Sequence, residues 1–153
     1  MEPEKLFTTV SEVTLIYRSK IPPSSRPQIS TPKDSFDILL RHWDEEKIEF
    51  IEQFKTLYLN RNNRVLAINE ISTGGLTGTV ADPRMIIVTA LKLNATALIL
   101  AHNHPSGNLT PSEMDRNLTN KIKSAGSFLD IRLVDHIILS PYGFYSFADE
   151  GLL

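Results

Sequence analysis

An α/β layered domain, with helices flanking a mixed β-sheet, is the fold class this sequence predicts. Two observations lead there. Short apolar runs of strand character alternate with stretches of helical periodicity, which layers helices against a sheet. Two neighbouring strands are joined so tightly, at Arg61-Asn62-Asn63, that they must pair antiparallel, which makes the sheet mixed. A length of 153 residues with 41% hydrophobic content supports one domain with a proper core.

Residues 10–18 read as a first strand, with Val13, Leu15 and Tyr17 on one face. Residues 21–32 hold four of the nine prolines, so an extended connection follows. Residues 1–30 are thus expected to be an N-terminal strand and linker within the same domain as 31–153. Thr31-Pro32-Lys33-Asp34 opens a helix through Phe36, Leu39, Leu40 and Trp43. A short helix or turn is expected over 45–51. Residues 54–60 and 64–70 form the hairpin. Gly74, Gly75 and Gly78 mark an irregular loop, without the Gly-Lys-Ser/Thr ending of a phosphate loop; we expect it beside the site, admitting an extended peptide.

Asp82 or Pro83 starts a helix through Ile86, Ile87, Ala90 and Leu93 that ends near Asn94. The apolar run 97–101 has the look of a buried strand. A helix is expected over 111–125, with Met114, Leu118 and Ile122 at core spacing and Gly126 as its stop. Strands over 131–139 and 142–146 complete the chain.

The functional signal lies where the buried strand ends, in Ala101-His102-Asn103-His104-Pro105-Ser106-Gly107. Side chains two apart in extended backbone point the same way, so His102 and His104 leave the strand together. Thr110 as N-cap, Pro111 at the first helical position and Glu113 closing a capping box would start the next helix, placing Asp115 on the face of Ser112. Gly107 supplies an unusual backbone angle to the turn between. Two neutral imidazoles and a carboxylate suit zinc with water in the fourth position, a catalytic arrangement. The same ligands suit ferrous iron, so ligand type alone does not choose between Zn²⁺ and Fe²⁺. The bland alternative is a polar loop whose histidines cap backbone groups. In Asp135-His136 the histidine is read as buried and hydrogen-bonded to its neighbours, with a supporting contact to a metal ligand as the alternative. His42 sits at a helix C-terminus, where the macrodipole favours it.

Composition excludes several classes. A net charge of −2 lacks the basic excess of a general nucleic-acid binder. No cysteine means no disulfide, no thiolate zinc site and no cysteine nucleophile. No stretch has signal-peptide character or bilayer-spanning length, so a cytoplasmic protein without a membrane partner is expected. A homodimer is allowed but not required.

The string HNHPSGNLTPSEMD resembles the RadC family, whose C-terminal domain belongs to the MPN/JAB group of JAMM metalloproteases and is related in fold to the cytidine deaminases. The JAMM signature is His-x-His, seven residues, Ser, two residues, then Asp, and His102, His104, Ser112 and Asp115 match it position for position. The likeness extends from about residue 10 to the chain end. RadC-like proteins often carry an upstream helix-hairpin-helix DNA-binding domain, and these 153 residues contain none. The resemblance implies that His102, His104 and Asp115 bind zinc and that Ser112 stabilises an oxyanion, a contact worth about 3 kcal/mol. It also implies an upstream glutamate as general base, at Glu52. From the residues alone Glu45, Glu46, Glu49 and Glu70 compete with it, Glu70 most closely.

The expected function is therefore a zinc-dependent JAMM-type hydrolase cleaving a peptide or isopeptide bond in a peptide or protein substrate. The rival is a non-catalytic interaction module in DNA repair or mobile-element biology, nucleic acid entering through the family label alone. A zinc deaminase needs a Pro-Cys-x-x-Cys element and is excluded by the absence of cysteine.

Overall fold

Hydrophobic alternation along two fully buried strands decides the layout. The computed structural model describes residues 9–74 and 80–153. In β1 (Gln53–Leu59) and β3 (Ala97–Asn103) every residue is buried, so each strand presents an apolar set to both sides of the sheet. Leu57, Leu59, Ile99 and Ala101 enter one core, while Phe54, Tyr58, Leu98 and Leu100 enter a second. Both faces must then be covered. Phe36 and Leu39 of α1 (Pro32–Arg41) cover the first. Ile86 and Ala90 of α2 (Pro83–Lys92), with Ile122 of α3 (Glu113–Phe128), cover the second.

The five-stranded sheet runs β2-β1-β3-β4-β5, where β2 is Val65–Thr73, β4 is Arg132–Ser140 and β5 is Gly143–Ser146. β1 pairs antiparallel with both β2 and β3. β3 and β4 are parallel, which requires the α3 crossover between them, and β4 and β5 close as an antiparallel pair. The hairpin between β1 and β2 turns where the asparagines predicted it. Asn60 Oδ1 accepts from the backbone N–H of Asn62 and Arg64, each at 3.0 Å, and Asn63 takes φ +55°. Tyr58, wholly buried, donates its hydroxyl to the Ile86 carbonyl at 3.1 Å and so ties β1 to α2.

Local signals placed most helix ends. Thr31 caps α1 and completes a capping box with Asp34; Asp82 caps α2, which stops before Asn94 at φ +52°. Residues 45–51 are turns. Among the described residues no helix is long and apolar enough to cross a membrane.

Three expectations need correction. Residues 10–18 form no strand, and Val10, Val13, Leu15 and Ile16 are exposed. β-propensity describes a fit to a half-buried pleated surface, and this segment takes no place in the sheet; among the described residues pairing begins with the Gln28–Arg64 bridge. The helix expected from Thr110 starts two residues later, capped by Ser112, with Asp115 and not Glu113 closing the capping box. Its first turn therefore swings Met114 away from the core, where it is 70% exposed, while Leu118 is partly buried and Ile122 fully.

The third correction is Gly126, which lies inside α3 and does not end it. The helix stops further on, and Asp130 takes the left-handed backbone at φ +54°. Gly126 is required by a close approach: a Cβ there would meet the Ile131 carbonyl oxygen at 2.3 Å, and Ile131 N–H already bonds back to the Gly126 carbonyl at 2.8 Å. Gly126→Ala is expected to lower the melting temperature by roughly 4–8 °C, for about 2 kcal/mol of overpacking against backbone. An unchanged melt would show that the turn after α3 yields freely.

Candidate metal centre

The end of β3 delivers the first two donors. His102 continues the alternation of Leu98 and Leu100 and so emerges on the side of α2 and α3, wholly buried. His104 follows just beyond the strand, and the chain then turns sharply, with Gly107 at φ +79° and its N–H on the His104 carbonyl at 2.9 Å. That turn brings the Asn108 carbonyl to 2.6 Å from His104 Nδ1. A carbonyl only accepts, so Nδ1 carries the proton and, in the neutral ring, Nε2 is left with a free lone pair.

The start of α3 delivers the third donor. The Ser112 backbone N–H donates to Asp115 Oδ2 at 2.7 Å, and Asp115 N–H donates to Ser112 Oγ at 3.1 Å. This reciprocal cap holds the carboxylate with Oδ1 3.2 Å from His102 Nε2 and Oδ2 3.5 Å from His104 Nε2. The two Nε2 atoms are 3.0 Å apart. Burial by itself would raise the Asp115 carboxyl, but the His102 and His104 imidazoles beside it and the Ser112 backbone N–H hold it well below the usual carboxylate range.

Glu52, immediately before β1, completes the group: one ligand atom from each of Glu52, His102, His104 and Asp115 lies within 4.8 Å of every other. Burial pushes the Glu52 carboxyl up, the two histidines oppose the rise, and the negative Asp115 adds to it. Glu70 stands elsewhere, accepting from Gln53 Nε2 at 2.8 Å and from the Thr73 hydroxyl, which holds its carboxyl below the ordinary value. Of the competing glutamates only Glu52 joins the cluster among the described residues.

What brings Glu52 there is Asn103, wholly buried on the opposite face of β3 from His102. Its amide donates to the carbonyls of Ile48 at 2.7 Å and Ile51 at 2.9 Å, and its Oδ1 accepts from Gln53 N–H at 2.7 Å. The residue between the two histidines thus clamps the segment that carries Glu52. Gly74 adds a second tie, its N–H on the Glu52 carbonyl at 2.8 Å. The rest of the expected glycine loop, 75–79, lies outside the described residues. From the sequence, Asn103 reads as a turn former, and nothing local reveals its reach of some fifty residues.

Two further side chains were less legible. His136, on β4, does not bond its ring to Asp135; that carboxylate accepts from the His136 backbone N–H, Ser146 Oγ and Ala148 N–H. The ring instead meets His102, with His136 Nε2 2.8 Å from His102 Nδ1. Thr119 lies beyond it, 2.6 Å from His136 Nδ1. Only its spacing of four residues from Asp115 hints at a shared helix face.

Glu52, His104 and Asp115 form one wall of an open groove of about 770 Å³, with His102 buried behind them and apolar side chains such as Phe54, Val80, Ala81 and Leu118 also lining it. Ser112 faces it too. Because Ser112 Oγ uses a lone pair in capping, its hydroxyl proton is left for a ligand. Lys121, exposed on α3, also lines this groove. Two imidazole nitrogens whose neighbours leave room for a cation, with two carboxylates beside them, are a nitrogen and oxygen donor set able to chelate a divalent metal.

A mixed sheet covered on both faces, with a two-histidine, two-carboxylate cluster at the end of its central strand, defines a JAB/MPN-type domain. Comparison with known proteins narrows the class. The RadC-like JAB domain family matches residues 29–152. A UPF0758 protein of Flavobacterium johnsoniae is 42% identical over 125 residues, 82% of this chain and 53% of that protein. A second, from Symbiobacterium thermophilum, is 36% identical over 151 residues, 99% of this chain and 63% of the relative. YfjY of Escherichia coli is 42% identical over 115 residues, 74% of this chain and 72% of its own. The chain belongs to the RadC family. It spans 53% and 63% of the lengths of the first two relatives.

Proposed function

We propose that this domain is a zinc-dependent hydrolase of the JAMM type that cleaves a peptide or isopeptide bond. The observation that carries the reading is the convergence of Glu52, His102, His104 and Asp115 within 4.8 Å at the wall of an open groove. In this reading His102, His104 and Asp115 hold the cation. A divalent metal there supplies Lewis acidity, making water acidic enough to ionise near neutral pH and polarising a carbonyl oxygen.

The chain's own groups do the rest. Glu52, with its proton affinity raised by burial, takes a proton from the attacking water and returns it to the leaving amine. Ser112 keeps its Oγ pointed by the Asp115 N–H and donates its hydroxyl proton to the oxygen that gains charge. The apolar walls beside Phe54 and Leu118 offer side-chain contact to an extended peptide lying in the groove.

Metal content tests the first step. Protein purified without added metal is expected to carry close to one zinc per chain, and His104→Ala to lose most of it while melting as a folded protein. Equal zinc in both proteins ends the reading. Peptide and isopeptide libraries then identify the bond that is cut.

A further inference from the structure

The structure contains a hydrogen-bonded chain behind the candidate metal site that ends on the third ligand's own backbone. Thr119 Oγ1 lies 2.6 Å from the Asp115 carbonyl oxygen and 2.6 Å from His136 Nδ1. His136 Nε2 lies 2.8 Å from His102 Nδ1. His136 is wholly buried, its ring stacked on Phe147 at 4.7 Å and set edgewise to Phe54 at 5.7 Å, so its polar contacts are confined to this chain.

Proton counting gives the chain a direction. Two oxygens at 2.6 Å need a proton between them, and a carbonyl has none, so the Thr119 hydroxyl donates to Asp115. That uses its only proton. The equally short contact to His136 must then be filled from the other side, by the ring's Nδ1–H. A neutral His136 with its proton on Nδ1 has a bare Nε2, which accepts from His102 Nδ1–H. In the neutral ring of His102 the lone pair is then on Nε2, the atom that faces His104 and Asp115.

We propose that Thr119 and His136 are positioning residues that fix the tautomer and ring orientation of His102, so that its unprotonated Nε2 is already presented to the cation site. The proposal rests on the metal-site reading above. It links the two elements that supply ligands: β3 and α3 are tied through β4, so that a shift of Asp115 along α3 is felt by His102. A carboxylate or carbonyl is the usual partner for the rear nitrogen of a metal-binding histidine. Here a second histidine takes that place, relaying the preference of a helix carbonyl across the core.

Long-range proton–nitrogen NMR of the imidazoles in metal-free wild-type protein reads the tautomers directly. The expected result is protonation on Nδ1 in both His102 and His136. Protonation of His136 on Nε2 overturns the proposal, with no substitution needed and whatever the zinc content of His104→Ala shows. Zinc affinity by chelator competition gives the second readout. Thr119→Val and His136→Phe are expected to bind zinc about 10- to 100-fold more weakly, and Thr119→Ser to stay within about threefold of wild type. Thr119→Val should also lose the single-tautomer signature of His102. Wild-type affinity and tautomer in Thr119→Val overturn the proposal. Should His136→Phe fail to fold, the Thr119 pair and the wild-type spectrum decide it.

Discussion

Glu52→Gln is expected to slow amide hydrolysis by about 10²- to 10⁴-fold, the usual contribution of a positioned general base. Gln keeps the shape and can still accept a hydrogen bond from water, but it cannot take the proton. Zinc content should hold near the wild-type level, because His102, His104 and Asp115 are untouched. Stability should not suffer either. Burial raises the Glu52 carboxyl in the folded protein, so above that value ionisation favours the unfolded chain, which holds its charge in water. A neutral amide removes the penalty, and metal-free Glu52→Gln is expected to melt at the same temperature as wild type or higher. The advantage should vanish as pH falls below 4.5, where both states carry the proton. A variant that hydrolyses its substrate at the wild-type rate would take Glu52 out of the reaction.

Asn103→Asp is expected to be the most damaging single-atom change in the fold. The side chain keeps its size, and one oxygen can still accept from Gln53 N–H. The other replaces an amide that donates to the Ile48 and Ile51 carbonyls, and so sets a buried anionic oxygen against two acceptors at under 3 Å. Leaving a buried charge uncompensated costs about 3–5 kcal/mol, which for a domain of this size lowers the melting temperature by roughly 10 °C or more. Molecules that stay folded must release residues 48–53, and Glu52 with them, so activity should fall further than the folded fraction explains. A melt within about 2 °C of wild type would show that the clamp is dispensable.

Both residues owe their place to contacts that local patterns conceal. The hairpin, the start of α1 at Thr31-Pro32, the start of α2 at Asp82 or Pro83 and the apolar β3 were all legible, because each depends on residues within a few positions of one another. So was the placement of His102 and His104 on one side, since period-two alternation survives to the strand end. The start of α3 was misjudged by two residues because Thr110-Pro111 and Ser112 both offer caps. Only packing favours the one that turns Ile122 inward and Asp115 toward the histidines. The N-terminal segment was misjudged for the opposite reason, since its strand-like composition meets no free edge that it occupies in this structure.

The RadC family, the layered α/β class and three of the four clustered donors follow from the chain read as text, because a spaced motif and a hydrophobic period are both carried by neighbours in sequence. The place of Glu52 rather than Glu70 beside those donors, named in the sequence by the resemblance alone, the clamp by Asn103 and the contact from His136 to His102 are not carried by any local pattern. Each joins residues between 17 and 55 positions apart. Such contacts exist only once the sheet has set its strand order, and it is burial on both faces that sets it.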